Sequence, residues 1–179
     1  MSEATARDAN LLGSLGLAVA DRIRAGAEDE LGVAGAAPVV LVALSTYLEE
    51  RPLDEVASAF EITPSAVVRV IDRLVDLGLA RRGPGADGRR VAVTLTAKGR
   101  RRAQAILARR ERELRGITGA LTGSEQRELA RLHEKLLRSL PDSRKAAGRI
   151  CRFCDVPACG HYEGRCPVTQ GVDAKLASA

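Results

Sequence analysis

Aromatic side chains are scarce in this sequence of 179 residues, which contains no Trp, two Phe and two Tyr. Hydrophobic residues still make up 45% of the chain, so its core must be built from Leu, Val, Ile and Ala. Because these side chains pack without large rings, and because Leu and Ala favour helices, we expect packed helices and not an aromatic-rich sandwich.

Histidine is also scarce, and the two residues of this type are His133 and His161. The sequence has no Gly-rich phosphate loop, and no pair of acidic residues stands in a setting suited to acid–base catalysis. We therefore expect that the protein is not an enzyme.

Long apolar runs are missing too, since none approaches the roughly 18–20 residues that span a bilayer. The N-terminal segment lacks a basic region and carries Glu3, which argues against a secretory signal. We expect a cytoplasmic protein without membrane association. In the cytoplasm thiols stay reduced, and clustered Cys residues bind metal more often than they form disulfides.

Charge is distributed unevenly along the chain, whose formal net charge is +5. Residues 1–60 contain ten Asp or Glu against four Lys or Arg, whereas residues 80–110 contain ten Lys or Arg against Asp87 alone. A solvated helix face is the ordinary explanation of a basic run. A basic centre that follows an acidic first third favours a polyanionic partner more strongly.

Two short helices joined by a tight turn are predicted in the middle of the chain. Apolar residues recur at helical spacing from Leu53 to Phe60, and residues 61–63 break the pattern. Thr63 is a suitable N-cap, Pro64 suits the first helical position, and Gly78 is placed to end the second helix. This arrangement indicates a helix-turn-helix.

A β-hairpin is predicted directly after the helix-turn-helix, in the segment LARRGPGADGRRVAVTLT. Its Gly-rich, basic tip lies at residues 85–90. A helix-turn-helix followed by a basic hairpin is a winged helix.

Long helices are predicted on both sides of this unit. The first runs from about Leu11 to Ala25, and another runs from the N-cap Thr96 to about Thr118. Thr122 and Glu125 form a capping box that opens a third helix, with a leucine stripe suited to the core or to a two-fold dimer interface (Leu129, Leu132, Leu136, Leu140). We therefore expect a mainly α fold with a disordered N-terminus at 1–10, a winged-helix domain at 11–140 and a cysteine segment with a tail at 141–179.

From Leu11 to Leu140 the sequence resembles the MarR-type winged-helix transcriptional regulators. The resemblance rests on SAVVRVIDRLVDLGLARR, on the wing residues Asp87–Arg90, and on VAVTLTAKG leading into a long helix. It implies a homodimeric repressor whose terminal helices interlock and whose two recognition helices enter successive major grooves of a pseudo-palindromic operator.

The resemblance also implies which residues contact DNA. The first turns of the recognition helix would reach base edges and phosphates, and Arg89 would enter the minor groove from the wing while Asp87 orients it. Arg73 has an alternative, an ion pair with Asp72 or Asp76. Val68 departs from the family, whose members often carry a polar residue there. The expected DNA contacts are Ser65, Ala66, Arg69, Arg73, Arg89 and Arg90.

Members of this family often bind small phenolic or lipophilic ligands between the dimerisation and DNA-binding regions. A pocket lined by so few aromatic residues is poorly suited to stacking on a ring. We therefore expect that a small-molecule or redox effector acts elsewhere in the chain.

All four Cys residues lie in the segment CRFCDVPACGHYEGRC, at positions 151, 154, 159 and 166. Four thiolates in a short loop can surround one metal centre, and the first pair has the usual chelating spacing. The irregular spacing and the Cys166–Pro167 ending favour an iron–sulfur cluster, with zinc or unmetallated redox thiols as alternatives. His161 is expected to be a bystander, and Arg152, Arg165 and Lys175 are expected to offset the negative charge.

The sequence thus favours a dimeric DNA-binding regulator that senses redox or metal state through Cys151, Cys154, Cys159 and Cys166. In this hypothesis the cysteine segment is attached to the dimerisation helices and alters the separation of the two recognition helices. The alternatives are a small metal carrier or electron-transfer protein without sequence-specific DNA binding, and a scaffold that does not bind DNA.

Overall fold

The structure is a computed structural model that describes residues 3–49, 51, 53–60, 62–84 and 91–178. Within these ranges the chain forms helices and one antiparallel hairpin, which confirms the mainly α winged-helix fold. In chain order the elements are α1 (Glu3–Leu31), α2 (Ala37–Leu44), α3 (Leu53–Phe60), α4 (Pro64–Asp76), β1 (Ala80–Pro84), β2 (Val91–Leu95), α5 (Ala97–Thr118), α6 (Gly123–Ser139), α7 (Arg144–Ile150) and α8 (Pro167–Ala177).

Helix α4 begins and ends as its sequence predicts. The Thr63 hydroxyl accepts a hydrogen bond from the Ala66 N–H at 3.2 Å, and Pro64 occupies the first turn. At the other end Gly78 has φ 68°, and the Leu79 N–H donates to the Leu74 carbonyl at 2.8 Å. These bonds form a Schellman motif, which stops α4 directly before the wing.

Helix α2 lies at the centre of the core and is buried along its whole length. Aliphatic side chains of the helix-turn-helix, the wing and α5 pack around it, as the shortage of aromatic residues predicts. In the described part of the chain no polar or charged residue is fully buried. The largest buried side chains are Leu41, Leu44, Ile71, Leu74, Leu95 and Ile106.

The beginning of α5 is tied to the end of α4. The Thr96 hydroxyl donates to the Gly78 carbonyl at 2.8 Å and accepts from the Gly99 N–H at 3.0 Å, as an N-cap does. Lys98 Nζ donates to the Leu77 carbonyl, also at 2.8 Å. The long helix α5 therefore fixes the position of the C-terminal end of α4.

The first helix departs from the sequence-based expectation. It begins at Glu3 and not near Leu11, so the expected disordered N-terminus at 1–10 is helical wherever it is described. The segment EATARDAN contains neither Gly nor Pro, and its Ala and Arg residues favour helix formation. None of the described helices is long and apolar enough to cross a membrane.

Two helices of the single chain expose large apolar side chains. On α1, Leu11, Leu12, Leu15 and Leu17 are between 48% and 70% exposed. On α6 no residue is buried, and the predicted leucine stripe is largely open to solvent, with Leu140 63% exposed. These two apolar faces lack a partner within the described part of one chain.

Residues 141–178, here called the C-terminal lobe, contain helices where the sequence suggested only a cysteine segment and a tail. Helix α8 packs against α6, and α7 packs against both α8 and α3. At the α6–α8 contact a Cβ on Gly171 would overlap the carbonyl oxygen of Arg138. The two backbones therefore approach more closely than any side chain at this position allows.

We expect Gly171→Ala to detach α8 from α6, because the added methyl meets backbone that cannot move aside. A cost of about 1–3 kcal/mol is typical of such overpacking. The matched control is Gly148→Ala in α7, where a Cβ has nothing within 4 Å. Limited proteolysis and urea unfolding measure the difference. Equal protease resistance of the two variants within residues 141–178 would contradict this packing.

Candidate DNA interface and thiol cluster

One face of α4 presents polar side chains to solvent. Ser65, Arg69 and Arg73 are exposed and follow one another at intervals of four residues, so they share a helix face. The opposite face buries Val67, Ile71 and Leu74 in the core. Ala66 is half-buried, and its backbone N–H donates the hydrogen bond that caps the helix at Thr63.

The alternative ion pair of Arg73 with Asp72 or Asp76 is not found among the described residues, and Asp72 has another partner. Asp72 Oδ1 lies 2.6 Å from Arg82 Nη1 on β1. Within the described ranges neither Arg69 nor Arg73 forms an ion pair, so both guanidinium groups remain open to an anion. Sequence reasoning did not find the Asp72–Arg82 pair, since it depends on how the wing folds back on α4.

The base of the wing is described, whereas its tip is not. Arg81 on β1 donates from Nε to the Thr94 hydroxyl on β2 at 3.0 Å, and Ala80 pairs with Leu95 across the hairpin. Arg89, Arg90 and the orienting Asp87 lie outside the described residues. The exposed Val68 stands beside the basic face of α4, with 40% of its side chain open to solvent.

The four Cys residues converge in the C-terminal lobe, although they belong to different elements. Cys151 ends α7 and Cys166 precedes α8, while Cys154 and Cys159 lie in the turns between these helices. The Cys154 N–H donates to the Cys151 carbonyl at 2.8 Å, which closes a tight turn between the first two cysteines. All four are free thiols and line one cavity of about 400 Å³.

The thiols influence one another's protonation. A hydrogen bond from Cys154 lowers the pKa of Cys151, and the same bond raises the pKa of Cys154. Burial raises the pKa of Cys159 to about 12. Burial by itself would raise the pKa of Cys166. Hydrogen bonds, with those from Thr169 at the start of α8 the largest, together outweigh burial and lower this pKa to about 7. In chain order, the first and last sulfurs (Cys151 and Cys166) are therefore the thiolate-prone ones, and the middle two (Cys154 and Cys159) stay protonated more readily.

The cluster contains four sulfur atoms of the type that ligate metals, but in the described ranges they are not arranged as a metal site. As the side chains stand, no group of three or more His, Cys, Asp or Glu residues in the described ranges is arranged to hold a metal ion. Thiolate sulfur is the ligand type that zinc and iron–sulfur clusters prefer. The donor chemistry of the four thiols fits such a centre.

Arg110 of α5 lies beside the cluster, a placement that sequence reasoning missed. Its charge favours the Cys154 thiolate, and its buried Nε has no hydrogen-bond partner among the described residues. Arg110 lines a second cavity, of about 520 Å³, together with Cys154 and residues of α1 and α2. No local signal distinguishes Arg110 from the other arginines in the basic run, because its place beside the thiols depends on tertiary packing.

Two of the residues expected to offset the thiolate charge are engaged elsewhere. Lys175 Nζ donates to the carbonyls of Ser139 and Pro141, at 2.9 and 2.7 Å, and so fastens α8 to the end of α6. Arg165 pairs with Glu163 at 3.5 Å. His161 accepts or donates a hydrogen bond through Nδ1 to the Thr169 hydroxyl at 3.2 Å and lies beside the cluster.

Known structures with the same fold are found, although no family model matches the sequence and no curated protein matches it. The YusO protein of Bacillus subtilis is 24% identical with a TM-score of 0.63, over 78% of this chain and 99% of YusO. MepR, a transcription regulator of a Staphylococcus aureus multidrug efflux pump, is 18% identical with a TM-score of 0.65, over 74% and 98%.

A third neighbour is the MarR family protein Rv2887 of Mycobacterium tuberculosis, solved in complex with DNA. It is 26% identical with a TM-score of 0.56, over 72% of this chain and 95% of Rv2887. Each match covers nearly all of the neighbour but only 72–78% of this chain. The remaining part of this chain has no counterpart in these neighbours. The chain has the MarR-like winged-helix fold; of these neighbours, MepR is a transcription regulator and Rv2887 is a MarR family protein.

Proposed function

We propose that the protein is a DNA-binding transcription regulator that acts as a homodimeric repressor of a pseudo-palindromic operator. The observation that carries this proposal is the open basic face of α4, where Arg69 and Arg73 have no anionic partner in the described structure. Rv2887 has been solved with DNA and a MepR mutant with an oligodeoxyribonucleotide, which supports the same use of this fold.

The face of α4 has the chemistry to read a major groove. A guanidinium group binds guanine O6 and N7 through two hydrogen bonds, or a phosphate through the same fork. Ser65 at the first turn can donate to a phosphate or a base edge. Val68 offers an apolar surface suited to a thymine methyl group, in place of the polar contact common in the family.

The second copy would cover the exposed leucines of α1 and α6. These faces lie on the first helix and on the helix that precedes the C-terminal lobe, and each carries Leu side chains that are between 39% and 70% exposed. Isologous packing of two such faces removes them from water and places two α4 helices on one side of the dimer. Arg89 and Arg90 on the two wings would then enter the flanking minor grooves.

We expect Arg69→Ala and Arg73→Ala each to weaken duplex binding by about tenfold to a hundredfold, the range for losing a bidentate base contact. If one of them contacts phosphate instead, its removal reduces the slope of log K against log salt by about 1. The control is Arg115→Ala on α5, since Arg115 is paired with Glu111 at 2.7 Å. Fluorescence anisotropy at several salt concentrations measures both effects.

Duplex binding that survives when Arg69 and Arg73 are both replaced by Ala would contradict the assignment of α4 as the recognition helix. Failure of the unmodified protein to bind any duplex in dilute buffer would favour a metal carrier or scaffold instead.

We also propose that Cys151, Cys154, Cys159 and Cys166 hold a metal centre, an iron–sulfur cluster or a zinc ion, through which the regulator senses redox or metal state. The support is the convergence of four free thiols on one cavity. The hydroxyl and N–H of Thr169 steady the Cys166 sulfur from outside the ligand set. Arg110 supplies a positive charge from α5.

We expect Cys154→Ser to lose the metal and His161→Ala to retain it, because four sulfurs complete the ligand set without imidazole. Metal analysis and the absorption spectrum of anaerobically purified protein measure both variants. Charge-transfer bands with iron and inorganic sulfide identify a cluster, whereas a colourless protein with one zinc per chain identifies a zinc site. Metal loss in the His161 variant would make that residue a ligand, and metal-free wild-type protein would contradict the centre itself.

A further inference from the structure

The C-terminal lobe contacts the helix-turn-helix of its own subunit, and not the dimerisation helices alone. We propose that the state of the thiol cluster controls DNA binding directly within one subunit, through α7 and Tyr47, which join the cluster to α3. This inference rests on the function proposed above. It differs from the sequence-based hypothesis, in which the cluster acts by changing the spacing between two subunits.

Helix α7 connects the thiol cluster to the helix-turn-helix. Its last turn carries Cys151, whose N–H donates to the Ala147 carbonyl at 2.9 Å, so the first cysteine is a direct continuation of the helix. The body of α7 packs against α3, the first helix of the helix-turn-helix, and α3 packs against α4. A displacement of Cys151 is therefore transmitted along one short helix to α3.

Tyr47 occupies the junction between the two units. It follows α2 in the turn that leads to α3, and its ring packs against the hydrophobic core. Its hydroxyl donates to the Gly148 carbonyl of α7 at 3.4 Å. The same side chain lines the 400 Å³ cavity together with all four thiols. Tyr47 thus contacts the core, α7 and the cluster cavity at once.

The other side of the lobe is anchored to α6. Gly171 lies against the Arg138 backbone, and Arg138 Nε donates to the Gln170 side chain at 3.0 Å. Cys166 lies at the start of α8, on this anchored side, whereas Cys151 lies at the end of α7, the helix that packs against α3. A bond from one centre to both sulfurs would fix α7 relative to α8, and release of the sulfurs would free α7 from that constraint.

The experiment uses the fact that every Cys of the chain lies in the lobe. Chelator treatment followed by N-ethylmaleimide modifies the cluster and no other part of the protein, and intact mass confirms the adducts. We expect alkylation to weaken binding of wild-type protein to its duplex about tenfold, within the usual range of coupling between sites. The dimer dissociation constant, measured by sedimentation, should not change.

Variants of Tyr47 test whether the coupling between the thiol cluster and DNA binding passes through this residue. Tyr47→Phe should bind metal normally but show a smaller ratio between unmodified and alkylated affinities, and Tyr47→Leu should bring that ratio close to one. The matched control is Tyr162→Phe, because Tyr162 lines the same cavity but is 71% exposed and stacks edge-on with His161. It should keep the wild-type ratio.

Four results would overturn the inference. A wild-type protein that binds DNA equally well before and after alkylation contradicts it and leaves the proposed regulator intact. A full response in both Tyr47 variants contradicts the route, as does a response that follows dissociation of the dimer. Absence of duplex binding by the unmodified protein contradicts the regulator and this inference together.

Discussion

The close backbone contact between α6 and α8 is the constraint on which the arrangement of the C-terminal lobe depends. Only a residue without Cβ lets α8 lie against the Arg138 carbonyl, and Lys175 then fastens α8 to the end of α6. Held on this side, the lobe directs α7 onto α3 and brings the four thiols beside Tyr47. The thiol cluster is therefore packed against the helix-turn-helix and is not a separate appendage.

The basic face of α4 remains open because the nearby Asp72 pairs with the wing and not with an arginine of this face. The fold of the wing brings Arg82 to Asp72, and within the described ranges Arg73 forms no ion pair. Thr96 and Lys98 then hold the end of α4 against the beginning of α5. Helix α4 is thus oriented by contacts at its end and side, which leave the guanidinium groups on its outer face unneutralised.

Local signals predicted much of the fold, whereas contacts between distant segments did not follow from them. Thr63, Gly78, Thr96 and the Thr122–Glu125 box act through residues within four or five positions, so their motifs are legible in the sequence. The grouping of the thiols followed from their spacing alone. Tyr47 lies 101 positions from Gly148 in the chain, and Arg110 reaches Cys154 across the fold. No periodicity or spacing reveals such pairs.

The central claim is that the thiol cluster and the helix-turn-helix form one mechanical unit within each subunit. Hydrogen exchange of backbone amides, followed by mass spectrometry before and after the thiols are alkylated, tests it most directly. The account predicts faster exchange in α7 and α3 together, with α1 and α5 unchanged. Faster exchange confined to residues 151–166, with α3 protected as before, would contradict it.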